Sequence, residues 1–365
     1  MPDIIEEVSE KIKNKNGEIF VLQIAPAVRV AIGEYFGFPP GTNVIGKLIT
    51  ACRNLGFDYI FDTNVGADFT IIEEANELTN RLKNKGTLPM FTTCCSSWYS
   101  FVEKNYPDLI QHLSTVKSPQ AILASIVKTY FAEKNNIDNE NIVHVVISPC
   151  VAKKQEARKE ELWVMKEEGI PNIDYVLTTK EAVELFKKKN IGLQNLPDSS
   201  FDNPLGESTG AGAIFGTTGG VMEAAIRTAN FFLTGKELEN YELEGVRNIG
   251  ARKEGKIKIG EYELNIAVIN GLKEAKIMLD ELRAKGSSPY HFIEVMACPM
   301  GCIGGPGQAA SDQNVLLARR EALFAYDKTH KVRASHQNPF IKEIYDNYLG
   351  EVGGEKARKI LHIAK

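Results

Sequence analysis

The chain is predicted to be an α/β protein of two lobes, each a twisted, mainly parallel sheet flanked by helices, with a ligand cleft between them and a helical C-terminal segment. Three observations carry this: a length of 365 residues, short apolar runs that end in turn signals, and amphipathic helical patterns between those runs. Such a length exceeds one ordinary compact domain, so a core divided between lobes is expected. The runs EIFVLQIAP, FDYIFDT, LPMFTT, HVVISP, DYVLTT, ELNIAVIN and HFIEVMA read as buried strands. TIIEEANELTNRLKN and SPQAILASIVKTYFAEK read as helices, and their alternation with strands argues for parallel sheets covered on both faces. The expected division is a helical or frayed extension over 1–17, a main two-lobed unit over 18–310 and a helical segment over 311–365.

Composition narrows the function classes. Hydrophobic content of 43%, charged content of 25% and a formal charge of -4 describe a globular protein with no basic excess for nucleic acid or an acidic membrane surface. No apolar stretch approaches the length of a membrane span, and the first residues form no apolar signal core, so a cytoplasmic location is expected. In a reducing compartment, thiols bind metal or react more often than they pair. Of Cys52, Cys94, Cys95, Cys150, Cys298 and Cys302, all but Cys52 sit in segments rich in Gly, Pro, Ser or Thr. Cys52 lies in a helical run and reads as a structural thiol.

Two glycine patterns are decoys. GTNVIGKL, from Gly41, resembles a phosphate loop, but Leu48 stands where a hydroxyl must ligate Mg²⁺ and the segment follows Phe-Pro-Pro instead of a strand. Gly210, Gly212 and Gly216 in TGAGAIFGTTGG miss the dinucleotide fingerprint by one residue; close packing or approach to a cofactor explains them better.

In parallel sheets, ligands gather beyond the carboxyl ends of the strands. Cys94 and Cys95 follow LPMFTT, Cys150 follows HVVISP and Cys298 follows HFIEVMA, so three loops are expected to converge. Cys298-Pro-Met-Gly-Cys302 adds a second thiol four residues on, followed by glycines that allow a tight turn. Four thiolates suit zinc or an iron–sulfur cluster. Structural zinc usually uses paired C-x-x-C knuckles, which are absent from the sequence, and dispersed ligands suit a wider four-iron cubane.

FTTCCSSW (91–98), SPCVAKKQE (148–156) and FIEVMACPMGCIGGPGQ (292–308) resemble the three signature segments of the iron-only (FeFe) hydrogenases. The likeness extends from about Ile19 to the end, including TGAGAIFGTTGGVMEA and Ser335-His336-Gln337-Asn338, which resembles the small-subunit segment of that family. The resemblance implies the six-iron H-cluster: a 4Fe-4S cluster on Cys95, Cys150, Cys298 and Cys302, with Cys302 bridging to a two-iron subcluster that carries CO, CN⁻ and an azadithiolate. It implies that Lys153 pairs with a cyanide, while Lys154 points elsewhere, and that Ala25, Pro26, Gln120, Phe215 and Met296 line the two-iron site. It further implies a proton route through Cys94, Glu74, Ser114, Glu77 and Arg81, although a charged helical stripe ordinarily means a solvated surface.

Two positions depart from the family pattern: Ser96 replaces a usual Pro, and Ser148 a usual Met beside the two-iron unit. Many relatives carry ferredoxin-like cluster domains ahead of this region, whereas only about 17 cysteine-free residues precede it here. Direct exchange of electrons with ferredoxin or another small carrier is therefore expected. The other implied partners are H-cluster maturation proteins and a hydrogenase partner subunit. Rival readings are an iron–sulfur assembly scaffold without the two-iron unit, a hydrogen sensor and a zinc scaffold.

Overall fold

The computed structural model describes residues 3–363. Its strands are β1 (Ile19–Ile24), β2 (Tyr59–Asp62), β3 (Met90–Phe91), β4 (Ile142–Ser148), β5 (Tyr175–Thr178), β6 (Arg252–Ile259), β7 (Tyr262–Asn270) and β8 (Phe292–Met296). They form two four-stranded sheets, ordered β2-β1-β4-β5 and β3-β8-β7-β6. The first is wholly parallel; in the second only the β6–β7 pair is antiparallel. Every residue of β4 is buried, as are all but the first of β1, because helices cover both faces.

Every apolar run read as a strand is one. The strand not foreseen is β6, RKEGKIKI, where Glu254, Lys256 and Lys258 face solvent while Lys253 and Ile259 are buried. Its outward charges suit an edge strand and mask its alternation in a hydropathy reading. The 1–17 segment contributes a helix, Ile4–Lys13, whose Ile5, Val8 and Ile12 enter the core of the first lobe.

The helix Thr63–Lys83 lies in the seam between the sheets. Val65, Phe69 and Ile72 pack toward the first sheet, while Ala75 and Leu78 join the core beneath the second. Asp62 starts it by accepting the Asn64 N–H (3.0 Å), and the same carboxylate pairs with the buried Arg29 (2.7 Å). That cap turns the chain from β2 directly into the cleft. The Pro119–Ile126 helix beside it is capped by Ser118. Gly220–Thr234 has a different start: the buried Glu294 of β8 accepts the Gly219 and Met222 N–H groups at 2.6 and 2.7 Å. A carboxylate in mid-strand thus neutralises a helix N-terminus, locking that helix to the second sheet.

Past residue 311 the chain is mainly helical, and buried ionic contacts hold it to both lobes. Arg319 pairs with Glu34 (2.7 Å), and Asp327 with Arg227 (2.9 Å), which also holds Glu223. No helix among the described residues is long and apolar enough to cross a membrane.

Candidate functional site

Four strand ends open into one cavity. β1 leads into Ala25 and Pro26, β3 into Cys94 and Cys95, β4 into Cys150, and β8 into Cys298, so each sheet supplies two walls. The cavity is bordered by all five of Cys94, Cys95, Cys150, Cys298 and Cys302 and by the expected lining residues Ala25, Pro26, Gln120, Ser148, Lys153, Phe215 and Met296. Glu74, Glu77, Ser114 and Arg81 do not border it. Cys52 is fully buried elsewhere, in the core of the first lobe, where burial pushes its thiol up. The GTNVIGKL segment leads into the helix Ile45–Leu55 from a turn, away from the cavity.

The cysteine turn depends on backbone freedom at one glycine. Gly301 has φ +90°, and a Cβ there would lie 2.7 Å from the Thr218 backbone nitrogen. Cys302 can therefore reach the wall only because residue 301 has no side chain. Gly212 plays the corresponding packing role in the other glycine run, since a Cβ would stand 2.6 Å from the Asn64 carbonyl oxygen. Close helix packing accounts for that position.

The donor set suits a cluster better than an ion. Among the described residues, no three His, Cys, Asp or Glu side chains are grouped to hold a single metal ion; the thiols are instead spread around the cavity. Burial and mutual repulsion push the Cys298 thiol up to about 12 and Cys302 well above the ordinary thiol range. Cys95 is also raised by burial, although the Ala297 N–H donates to its sulfur at 3.5 Å. Thiols in this state need a cationic metal centre before they ionise together. Gln120 fits the same picture: its side-chain nitrogen is buried without a partner while its residue borders the cavity.

Lys153 is placed by the short helix Ala152–Glu156. Its ammonium donates to the Cys94 carbonyl (3.2 Å) and to both oxygens of Glu156 (2.9 Å each). Burial works to lower its pKa, but the Glu156 carboxylate outweighs this and keeps it above the usual lysine value. Lys154 points away and pairs with Glu181 (2.5 Å). Glu156 is held in turn by the hydroxyls of Ser118 (2.5 Å) and Ser96. Ser96, where Pro is the family's usual residue, thus adds a donor to the counter-ion of Lys153. Sequence reasoning missed Glu156 and Ser118; the i, i+3 spacing of Glu156 from Lys153 was the available signal.

Of the stripe, Glu74 is fully buried, while Glu77 and Arg81 are partly buried. Glu77 pairs with Arg81 (2.6 Å) and accepts from the Ser114 hydroxyl (3.0 Å) and from the backbone and hydroxyl of Thr115 (2.9 and 3.1 Å). Although burial opposes it, Arg81 and these donors hold the Glu77 carboxyl below its ordinary value. Glu74 accepts only the Thr93 N–H (3.3 Å), leaving its other oxygen buried and unpartnered. Burial first, and then the charge of Glu77, push Glu74 up to about 8. Cys94 is raised well above the usual thiol value by burial and by Glu74, so it stands as a neutral thiol. No hydrogen bond joins Cys94 to Glu74 in this geometry, whereas the Ser114 hydroxyl, which donates to Glu77 (3.0 Å), also reaches Glu74 closely enough to favour its charged form slightly.

Known proteins resemble this chain over nearly its whole length. Residues 18–306 match the family described as iron only hydrogenase large subunit, C-terminal domain, and residues 313–364 match iron hydrogenase small subunit. The chain is 44% identical over 368 residues to the NADP-reducing hydrogenase subunit HndD of Solidesulfovibrio fructosivorans, covering 99% of this chain and 62% of that one. It thus spans about three-fifths of that curated relative's length. An apo FeFe-hydrogenase from Chlamydomonas reinhardtii superposes with a TM-score of 0.87 at 39% identity, covering 99% of this chain and 98% of that one. A solved structure describing stepwise H-cluster assembly in an FeFe-hydrogenase superposes at 0.86, with the same identity and coverage.

Two outcomes test the electrostatics. Glu156→Ala should destabilise the fold by about 3 kcal/mol, because Lys153 would be left buried without its counter-ion. Glu156→Gln, which keeps the size of the side chain but also removes the charge, should lose most of the same stability; chemical denaturation that finds Glu156→Gln as stable as wild type would refute the ion-pair account. Glu74 keeps its proton in the fold up to about 8 but loses it near 4.5 when unfolded. Its stabilising contribution is therefore complete below that lower value and falls by about 1.4 kcal/mol per pH unit as pH rises through the window. Glu74→Gln should remove this slope, and parallel stability curves for wild type and variant would sink the assignment.

Proposed function

Because the chain belongs to the iron-only hydrogenase family, we propose that it interconverts protons and dihydrogen, 2H⁺ + 2e⁻ ⇌ H₂, at an H-cluster seated in the cavity. The observation that carries this reading is the meeting of four thiols from three loops with a fifth, Cys94, that leads into the buried Glu74–Glu77 stripe. When bound, the H-cluster supplies redox-active iron and a bridging amine as the base for heterolysis.

The residues divide the remaining work. Cys95, Cys150, Cys298 and Cys302, which border the cavity, would hold the cubane, and Cys302 would also serve the two-iron unit. Lys153, kept cationic by Glu156, would pair with a cyanide ligand, while the unpartnered amide of Gln120 would offer a donor. Ala25, Pro26, Phe215 and Met296 keep water out, and Ser148 replaces the usual thioether by a hydroxyl, which alters the polarity beside the iron. Cys94, neutral and buried, takes up and releases a proton toward Glu74. Ser114, Glu77 and Arg81 continue the route, Arg81 being fastened by the carbonyls of Thr87 and Leu113 at 3.1 and 2.8 Å.

This reading includes a catalytic unit over 18–310 with the 311–365 segment clamped onto it. Ferredoxin or another small carrier exchanges electrons with the cubane, and dedicated maturation proteins install the two-iron unit. A cytoplasmic location is supported by six cysteines that serve as cluster ligands or unpaired thiols rather than as disulfides.

Anaerobic reconstitution should load about four irons per chain without accessory chemistry. CO and CN⁻ infrared bands should appear only after maturation or addition of a synthetic two-iron precursor, and their failure to appear then would overturn the hydrogenase reading. Cys94→Ala should keep those bands yet lose roughly 10²-fold or more of H₂ turnover. Undiminished turnover would remove Cys94 from the route.

A further inference from the structure

The end of the chain lies along the segment that carries Ser114. The Ile363 N–H donates to the Thr115 carbonyl (2.8 Å), the Lys117 N–H donates to the Leu361 carbonyl (2.9 Å), and Val116 faces His362 as an antiparallel bridge partner. The Lys117 ammonium adds a bond to the Ile360 carbonyl (2.8 Å). His362 is 5% exposed and has a polar partner at each ring nitrogen: Nδ1 is 2.8 Å from the Thr115 hydroxyl and Nε2 is 2.9 Å from Glu73. The other oxygen of Glu73 is taken by the Tyr345 hydroxyl (2.6 Å) and the Gly353 N–H (3.2 Å).

Counting hydrogens turns this geometry into a constraint. The Thr115 hydroxyl has one hydrogen and two neighbours, the Glu77 carboxyl at 3.1 Å and His362 Nδ1. When Nδ1 carries a proton, it donates to the hydroxyl, whose own hydrogen then serves Glu77. When Nδ1 is bare, the hydroxyl turns to the ring and Glu77 loses that donor. A hydrogen bond to the charged form of a carboxyl favours that form, so the ring sets how readily Glu77 takes a proton.

We propose that His362 is a positioning residue of the proton route, acting on Glu77 through the Thr115 hydroxyl; this rests on the reading of Glu77 as part of that route. It is no proton exit, because His362, Glu73 and Tyr345 are all buried. The titratable and charged groups around it are Glu73 with Tyr345 behind it, Lys117 along the paired segment, and Glu77 with Arg81 beyond Thr115.

Two substitutions separate this role from simple packing. His362→Asn puts an amide where Nδ1 stood, and His362→Gln puts one where Nε2 stood. In full-length, H-cluster-loaded protein, His362→Gln should lose about tenfold in turnover and move the acid limb of the pH profile upward by roughly half a unit. His362→Asn should retain several-fold more turnover. In cofactor-free protein, the Glu77 carboxyl infrared band, isolated by difference against Glu77→Gln in each background, should shift more in His362→Gln than in His362→Asn. Loss of turnover in Glu77→Gln together with identical behaviour of the two His362 variants overturns the proposal alone. Full turnover in Glu77→Gln overturns the route itself and the proposal with it. Should His362→Gln fail to fold, Thr115→Val deletes the same hydroxyl, and an unmoved Glu77 band there overturns the proposal.

Discussion

One helix, Thr63–Lys83, buries a row of carboxyl groups, and the need to satisfy them organises the molecule. Asp68, Glu73 and Glu74 are fully buried, and Glu77 is nearly so. A carboxylate removed from water is costly unless donors surround it, so each must recruit partners from distant parts of the chain. Asp68 recruits Thr209, Ser335 and Asn338; Glu73 recruits Tyr345, Gly353 and His362; Glu77 recruits Arg81, Ser114 and Thr115. The helical tail and the glycine-rich segment are thereby held against the helix that separates the two sheets. Glu74 is the exception. With one N–H donor and one unpartnered oxygen, it favours its neutral form.

The cavity beyond this helix exists because two sheets end at the same place. Strands covered on both faces can project functional groups only from their ends, and β1, β3, β4 and β8 do so toward one another. The resulting wall is largely apolar, and its one cationic side chain among the described residues, Lys153, is neutralised by Glu156 just behind it. Ser96 and Ser118 stiffen that carboxylate, so the charge facing the cavity is set by residues standing behind Lys153.

Much of the architecture was readable because its strands are buried on both faces and show as continuous apolar runs. The loop cysteines were readable because each follows such a run. Three features were not. β6 hides behind its outward lysines and glutamate, whose alternation resembles a charged loop. The helix written from Thr70 in the sequence begins at Thr63, because Asp62 serves both as cap and as partner of Arg29. The stripe of Glu74, Glu77 and Arg81 looks like solvated surface by spacing alone; only family resemblance pointed inward, and burial between the sheets is what keeps it from water.

The sequence by itself determined the alternation of strand and helix, the order of the cysteine loops and the chemical kinds of side chain available, since these follow from local periodicity and residue type. Tertiary structure alone decided which carboxyl groups keep a proton and which side chains face each other. Glu74 and Glu77 lie one helical turn apart with the same functional group, yet one is pushed up to about 8 and the other held below its ordinary value. The difference comes from Arg81 and Thr115 reaching Glu77 and not Glu74, an outcome of packing between segments far apart in the chain. The same packing brings His362, at the far end, against the Thr115 hydroxyl beside Glu77.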